Sequence, residues 1–208
     1  MRLTVFGATG GTGQHVVRQA LEAGHHVTAV VRDPARVAPH ARLAPVVADV
    51  MDPAAIEVAV KGQDAVISAL GPRPGDDTPV CATAARSIIT AMNATATSRL
   101  VVITASGHVV DSGDGPFTRA LVKPMLRRFL RTGFDDFAQT DELVRNSGLE
   151  WTIMRPPRLT NGKRRPYRTA LDLNVRGGIM IGRADLADAI LTALTDPTTA
   201  GHTISLGY

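Results

Sequence analysis

The 208-residue sequence has little cysteine, few aromatic residues and no long hydrophobic run. Its one cysteine, Cys81, cannot form an internal disulfide, and a lone cysteine does not indicate a thiol redox centre or a zinc site. Aromatic residues make up 4% of the chain, which leaves few rings to stack on nucleic-acid bases. With a single cysteine, we expect no metal site. No apolar stretch approaches the roughly 20 residues of a membrane-spanning helix, so we expect no membrane partner.

The amino terminus lacks the basic, apolar and small-residue regions of a secretion signal, so we expect a cytoplasmic protein. No linker rich in proline, glycine or serine interrupts the sequence. A chain of this length can bury one sizeable core, and residues 1–208 are therefore expected to form a single domain.

The chain is basic, with a net charge of +4 and a pI near 9.8. Basic clusters can bind nucleic acid, but they also occur on solvated helix faces and in charged loops. We favour the second interpretation and expect no nucleic-acid partner, although cationic loops can attract an anionic cofactor or substrate. The clusters are Lys123, Arg127, Arg128 and Arg131, and Lys163, Arg164, Arg165 and Arg168.

Short β-branched runs alternate with longer helical patterns along the sequence. This alternation predicts an α/β fold in which a doubly wound parallel sheet has helices on both faces. After the predicted sixth strand "EWTIMRP", we expect a small carboxy-terminal region on the substrate side. Within that region, "YRTALDLN" and "GIMIG" are predicted to form an antiparallel pair.

The segment "FGATGGTG" lies between the first predicted strand and the first helix. Gly7, Gly10 and Gly13 permit a tight turn, close approach of a pyrophosphate and close packing of helix on strand. The helix N-terminus offers free N–H groups to phosphates, and Thr9 and Thr12 add hydroxyl donors. In this context a Rossmann-like dinucleotide site is favoured over a purely structural turn.

The end of the second predicted strand, "VVRDPAR", distinguishes the two dinucleotides. Arg32 and Arg36 suit the 2′-phosphate of NADP, whereas an acidic residue there would bind the ribose of NAD. We therefore predict NADP(H). The alternative is that Arg32 is a surface charge and Asp33 caps the next turn. Asp49, after the third strand, is a candidate acceptor for the adenine amino group or a plain turn residue.

The glycine spacing resembles that of the extended and atypical short-chain dehydrogenase/reductases, many of which protonate a carbonyl with Tyr-x-x-x-Lys. Here Tyr167 is followed four positions later by Leu171, and Tyr208 is the last residue given. The motif is therefore missing. Ser106 follows the fifth strand, near the expected nicotinamide, and is the candidate catalytic residue; a loop serine is the equal alternative.

Loss of that acid favours acceptors that take hydride into a conjugated system, because solvent can protonate their products. The sequence thus predicts an NADPH-dependent reductase of a small planar acceptor, which can be a flavin such as FMN, a quinone or a tetrapyrrole. Positioning over the nicotinamide is the main contribution such a reaction needs from the protein.

A closer resemblance covers nearly the whole chain. The order "FGATGGTG", "VTAVVRDPAR", "VVADV", "QDAVISALGPR", "VVITAS", "SGLEWTIMRPPRLT" and "RADLADAILTAL" resembles the NmrA-like NAD(P)H-binding reductases, particularly the flavin reductase and biliverdin-IXβ reductase group. The resemblance implies cofactor or acceptor contacts at further positions. These are Val50 at the adenine, Leu70, Gly71 and Arg73 at the ribose and nicotinamide, and Ala105, Pro157, Arg158 and Leu159 at the open site.

Two positions depart from that group, which has histidines where this chain has Phe137 and Arg158. An apolar ring and a permanent cation make a different pocket, which counts against a tetrapyrrole. Arg158 suits an anionic acceptor such as FMN, or it pairs with a surface carboxylate.

A different class of function is also open. A non-catalytic NADP(H)-sensing regulator of the NmrA-like kind would explain the missing acid, and the basic loop Lys163 to Arg168 would then be a partner surface. A sugar epimerase or dehydratase is disfavoured because those reactions normally use the missing tyrosine. The sequence does not indicate an oligomeric state.

Overall fold

The computed structural model describes residues 1–72 and 79–208, along which strands and helices alternate. The strands are β1 (Arg2–Phe6), β2 (His26–Val31), β3 (Leu43–Val47), β4 (Ala65–Ser68), β5 (Arg99–Ile103), β6 (Glu150–Arg155), β7 (Arg158–Thr160), β8 (Arg168–Leu171), β9 (Met180–Gly182) and β10 (His202–Gly207). The helices are α1 (Gly11–Glu22), α2 (Pro53–Val60), α3 (Val80–Thr95), α4 (Lys123–Phe129), α5 (Arg131–Arg145) and α6 (Arg183–Thr195). A π-helical turn, Thr118–Val122, leads directly into α4.

Eight strands form one sheet in the order β3-β2-β1-β4-β5-β6-β10-β8. All neighbours in it are parallel except β8, which runs antiparallel to β10 at the edge. From β1 the chain winds outward to β3, then returns to the other side of β1 through β4. This reversal confirms the predicted Rossmann-like, doubly wound fold.

The predicted antiparallel pair between residues 167–174 and 178–182 is wrong. β8 instead joins the main sheet, where Leu171 lies opposite Ile204 of β10. β9 pairs in parallel with β7, with Ile181 opposite Leu159. The physical reason is that β10 is almost wholly buried, so its outer row of N–H and C=O groups must be paired, and β8 supplies the partners.

Helices cover both faces of the sheet. α1 and α6 pack on one face, where Val16, Leu186 and Ile190 are fully buried. α2, α3 and α5 pack on the other face, through residues that include Ile56 and Ile88. Each such side chain contributes about 1.5–3 kcal/mol by leaving water. Across the two described stretches, no helix has the length and apolar content needed to cross a bilayer.

The helices on the second face start in two different ways. α2 is capped by the residue before it, because the Asp52 carboxylate accepts hydrogen bonds from the Ala54 and Ala55 N–H groups at 3.0 and 3.4 Å. α3 has no side-chain cap from its own N-cap residue. Its cap is the buried carboxylate of Asp136 in α5, which accepts from the Cys81 and Ala82 N–H groups at 2.9 and 2.8 Å. Burial and this carboxylate raise the pKa of the Cys81 thiol, so it stays protonated.

The capping contact predicts the effect of removing Asp136. Asp136→Ala leaves two N–H groups of α3 without their acceptor and should lower the free energy of unfolding by about 1–3 kcal/mol. Urea unfolding followed by circular dichroism measures this change. Asp135→Ala is the matched control, because Asp135 is exposed and makes only a 3.7 Å ion pair with Arg131. Equal losses in both variants would contradict the capping role.

Candidate functional site

The glycine turn after β1 has the geometry of a phosphate-binding turn. Gly7 has φ +75°, and a Cβ added there would lie 2.7 Å from the carbonyl oxygen of Ala69. The Gly10 N–H donates to the Gly7 carbonyl at 2.9 Å, and a Cβ on Gly13 would collide with that same carbonyl. Only glycine fits at positions 7 and 13 without displacement of the backbone. The turn thereby holds the start of α1 close to the ends of β1 and β4.

The start of α1 offers donors to an anion. Gly10 is the N-cap and makes no side-chain cap, so the first N–H groups of the helix are available to a ligand. Thr9 is half-buried beside them, and Thr12 is buried in the first turn. The turn lies between β1 and β4, the switch point at which ligands bind in doubly wound sheets. The structure therefore brings the five residues of the predicted pyrophosphate site together.

A further cation lies over this turn, one that the sequence analysis did not single out. The guanidinium of Arg183, at the start of α6, lies so close to Gly11 that a Cβ there would be 2.8 Å from its Nε. Asn161 holds it, accepting from Nη1 at 2.7 Å. Partial burial and the charges of Arg18 and Arg183 lower the pKa of His15 in α1. Arg183 thus places a permanent positive charge at the helix N-terminus that would face phosphates.

This position predicts that Arg183 contributes to the affinity for both nicotinamide dinucleotides. Arg183→Met should raise the Kd of NADPH and of NADH by a similar factor, about tenfold, because the pyrophosphate is common to both. Fluorescence titration measures both constants, and Arg86→Met, at an exposed arginine of α3, is the control. A loss confined to NADPH would instead assign Arg183 to the 2′-phosphate.

The residues predicted for the adenine end follow β2 and β3. Arg32 is exposed directly after β2, and Arg36 is exposed in the next turn. Asp33 caps that turn by accepting from the Ala35 N–H at 3.0 Å, as the alternative interpretation expected. Asp49 likewise accepts from the N–H two residues ahead, at 3.0 Å, so one of its oxygens has a turn role. Val50 is half-buried against the core beneath α2, α3 and α5.

The residues after β4 are only partly described. Leu70 is half-buried against the core, and Gly71 is exposed beside it. Both follow the strand that neighbours β1, as expected for residues at the ribose and nicotinamide. Arg73, the third residue predicted here, lies outside the described residues.

A mostly apolar cleft of about 470 Å³ opens at the carboxyl ends of β5 and β6. Ala105, Ser106, Pro157 and Arg158 line it, so the structure brings four predicted residues to one wall. The Ser106 backbone N–H donates to the Pro156 carbonyl at 2.9 Å, which fixes the loop after β5 to the end of β6. The volume suits a ligand of the size of a flavin ring system.

Leu159 was also predicted to lie at the open site. Its side chain instead packs against the core beneath α1 and α6, beside β9. Phe134, which no sequence pattern indicated, takes a place in the cleft wall. Phe137 is half-buried and is not among the described residues that line the cleft; its ring lies 6.2 Å from that of His108.

A buried ion pair forms a polar corner of the cleft. The Lys123 ammonium donates to Oδ2 of Asp114 at 2.6 Å and to the Val109 carbonyl, and both charged side chains are buried. Asn174 donates to the same carboxylate oxygen at 3.2 Å. The sequence grouped Lys123 with three arginines, of which Arg128 and Arg131 are exposed, and only the fold distinguishes Lys123 from these two. Arg158 also lines this mostly apolar cleft, so two cationic side chains border it, and the charge of Lys123 is balanced by Asp114.

A second buried network supports the cleft from behind. Oδ2 of Asp141 in α5 accepts from His108 Nε2 at 2.9 Å and from the Arg155 guanidinium. Burial alone would raise the pKa of Asp141, but the His108 hydrogen bond and the Arg155 charge outweigh it and lower that pKa. His108 follows the loop of Ser106, and Arg155 precedes Pro156. One carboxylate thus anchors both loops that form the cleft wall.

The lowered pKa predicts a pH-dependent contribution to stability. A carboxyl group with a depressed folded-state pKa stabilises the fold above its unfolded pKa, about 3.9, and this contribution is lost as the pH falls through the folded value. Asp141→Asn leaves Arg155 without its counter-charge and should cost about 3 kcal/mol at neutral pH. Urea unfolding at neutral and acidic pH should show this gap narrowing below about pH 4. A gap independent of pH would contradict the ionised pair.

Both tyrosines lie away from the cleft wall and contact aspartates of α6. The Tyr167 hydroxyl donates to Asp188 at 2.9 Å, and burial and that carboxylate raise its pKa. The Tyr208 hydroxyl donates to Asp185 at 2.5 Å and accepts from the Gly182 N–H at 2.7 Å. Each hydroxyl therefore has a structural partner.

The predicted basic loop is held by contacts within the chain. Arg164 pairs with Asp188, and the Arg165 guanidinium stacks on the Tyr208 ring, 3.4 Å from its centroid. Arg168 donates to the backbone carbonyls of Arg176 and Tyr208 at 3.0 and 2.8 Å. These contacts agree with the charged-loop interpretation and leave less of the loop for a partner.

Comparison with known proteins agrees with the glycine turn and the doubly wound sheet. A family model described as NAD(P)H-binding matches residues 7–197. The chain belongs to this family. Membership confirms the resemblance stated from the sequence and makes the protein NAD(P)H-binding.

Three proteins are similar to this chain over most of their length. YwnB, an uncharacterized protein of Bacillus subtilis (strain 168), is 29% identical over 205 residues, which cover 95% of this chain and 93% of YwnB. SP1627 of Streptococcus pneumoniae TIGR4, designated a candidate NADH-flavin reductase, is 25% identical with a TM-score of 0.80, covering 100% and 99% of the two chains. A short-chain dehydrogenase/reductase of Veillonella parvula DSM 2008 in complex with NADP shares the fold, with TM-score 0.84, 20% identity and coverage of 100% and 94%.

Proposed function

We propose that this protein is an NADPH-dependent reductase that transfers hydride directly to a planar conjugated acceptor. A flavin such as FMN, a quinone and a tetrapyrrole are the acceptors of this kind. The observation that carries the proposal is the apolar cleft of about 470 Å³ beside Ser106, at the same edge of the sheet as the glycine turn. A flat ring in this cleft would stack against the nicotinamide of a dinucleotide that crosses the strand ends.

The chemistry suits a site without a tyrosine acid. A bound NADPH, with its pyrophosphate at the glycine turn and the start of α1, would supply a hydride and both of its electrons to the acceptor. Water then supplies the proton that the reduced conjugated acceptor takes up. Among the described residues that line the cleft, none is a tyrosine, and both tyrosine hydroxyls donate to carboxylates elsewhere.

The polar groups of the cleft have roles in positioning. Ser106 can hydrogen-bond the nicotinamide carboxamide or an oxygen of the acceptor. Arg158 is exposed at the wall, and it suits the phosphate of FMN or another anionic group. The ion pair of Lys123 with Asp114 adds a polar corner to the same cleft, which can hydrogen-bond a polar edge of the acceptor ring.

NADPH is the favoured cofactor because of the residues after β2. Arg32 and Arg36 are both exposed there, and the carboxylate of Asp33 is turned to the backbone of its own turn. The Veillonella protein binds NADP, whereas the streptococcal protein is designated for NADH. A pair of arginines favours the dinucleotide that has the additional phosphate.

Charge reversal at Arg32 tests this choice of cofactor. Arg32→Glu should weaken NADPH binding by about a hundredfold, because it replaces a phosphate-binding cation with a repelling anion, while NADH affinity changes little. Titration with each dinucleotide gives both constants. Arg86→Glu is the control for the change in net charge. Equal losses for NADPH and NADH would overturn the 2′-phosphate assignment.

The reductase proposal is tested by the rate of NADPH oxidation in the presence of FMN, compared with NADH and with samples that contain no protein. Protein-dependent oxidation with a preference for NADPH is the expected result, and Ser106→Ala should lower turnover while NADPH affinity is retained. Tight NADPH binding without oxidation of any flavin, quinone or tetrapyrrole would overturn the proposal in favour of the cofactor-sensing regulator.

A further inference from the structure

The helical segment from Phe117 to Leu130 turns an apolar stripe outward. Phe117, Leu121 and Met125 are 67%, 58% and 53% exposed, although each is a large apolar side chain. Their spacing of four residues places them on one face of the π-helical turn and α4. A continuous apolar stripe of this kind indicates a surface that contacts something other than water.

The opposite face of the same segment forms a wall of the cleft. Thr118, Val122 and Lys123 line the cleft, so the segment is a single helical layer between the acceptor and the outside. Apolar residues at the mouth of the cleft extend the exposed stripe. Leu130 and Ile179 both line the cleft and remain 49% and 68% exposed. The apolar stripe and the mouth of the cleft are therefore adjoining parts of the surface.

The charges beside the stripe are all of one sign. Between residues 115 and 134 the sequence contains arginine and lysine but neither aspartate nor glutamate. Arg119, Arg128 and Arg131 are exposed, and the one ion pair among them is the long contact between Arg131 and Asp135. An apolar helix face flanked by arginines has the composition of helices that lie in the interface of anionic membranes.

The same charges argue against a second copy of this chain as the occupant. A two-fold contact through the segment would bring the arginines of one copy against those of the other. No carboxylate between residues 115 and 134 is available to separate them. An anionic lipid surface supplies the opposite charge and an apolar interior together.

We propose that the segment from Phe117 to Leu130 docks on an anionic lipid surface and directs the mouth of the cleft towards the bilayer. Surface docking requires no spanning helix, and none occurs among the described residues, but it departs from the expectation of no membrane partner drawn from the sequence. It follows that the acceptor is a lipid-soluble quinone that enters the cleft from the membrane. This second step rests on the reductase function proposed above, whereas the docking does not.

Vesicle flotation tests the docking with the intact protein. The protein should float with vesicles of mixed phosphatidylcholine and phosphatidylglycerol at low salt, much less at high salt, and not with phosphatidylcholine alone. The double variant Met125→Asp with Arg128→Glu should bind the mixed vesicles at least about tenfold more weakly. The matched control is Val58→Asp with Lys61→Glu, which makes the same charge change at exposed positions of α2 and at its end, and should bind as the parent does.

Three results would overturn the docking. One is the absence of flotation with mixed vesicles at low salt, and another is equal loss in the stripe variant and its control. The third is a dimer in sedimentation analysis that the stripe variant dissociates, because the segment would then be an interface between copies. A monomer that binds neither vesicle type would leave an acidic protein as the occupant.

A kinetic measurement separates the docking from the acceptor. NADPH oxidation is measured with a long-chain quinone in the vesicles and with a short-chain quinone in water. The stripe variant should lose most of the rate with the first and keep the rate with the second. Flotation with turnover of FMN or the short-chain quinone, but none of the embedded quinone, would overturn the lipid-soluble acceptor and leave docking intact. Flotation without turnover of any quinone, flavin or tetrapyrrole would overturn the reductase proposal and the lipid-soluble acceptor that rests on it, but not the docking.

Discussion

The close approach between the turn after β1 and the backbone after β4 is the constraint on which the site depends. Gly7 lies against Ala69 with no room for a side chain, and Gly13 lies against Gly7. These contacts fix where α1 begins and which way its first N–H groups point. A dinucleotide anchored there can reach β2 in one direction and β5 in the other, because β1 lies between them in the sheet. In the proposed function, Arg32 and Ser106 are therefore the two ends of one binding surface.

The acceptor side is organised differently. No single turn fixes the shape of the cleft. Buried ion pairs instead hold together segments that are distant in sequence. Asp141 joins His108 and Arg155, and the pair of Lys123 with Asp114 closes the far corner. Buried pairs of this kind contribute little net stability, since removing each charge from water is costly. Their effect here is geometric, because each pair joins segments that no backbone ladder connects.

The fold could be predicted from the sequence where the signals are local. The glycine spacing, the strand periodicity and the Asp52–Pro53 helix start each act over a few residues, and all agree with the structure. β8 and β9 were misassigned because the edge of a distant strand decides their partners.

Local signals in the sequence point to only part of the candidate site. The glycine turn and Ser106 after β5 carry such signals, whereas Ala105, Pro157 and Arg158 were indicated by the resemblance. Arg183 and Lys123 carry none, because each reaches its place only when a helix packs far from its neighbours in sequence. The resemblance indicated the loop after β6, yet Leu159 turns into the core because its strand pairs with β9.

The capping of α3 by Asp136 has a consequence for how the chain acquires its structure. The two segments are 55 residues apart in sequence, so α3 lacks its terminal acceptor until α5 has been made and has docked. α3 belongs to the part of the chain that follows the nucleotide-binding strands, and α5 to the part that forms the cleft. Folding of these parts is coupled through this long-range contact, which slows the search for the native state. A nascent chain released before α5 would hold a helix with a frayed beginning directly beside the nicotinamide end of the sheet.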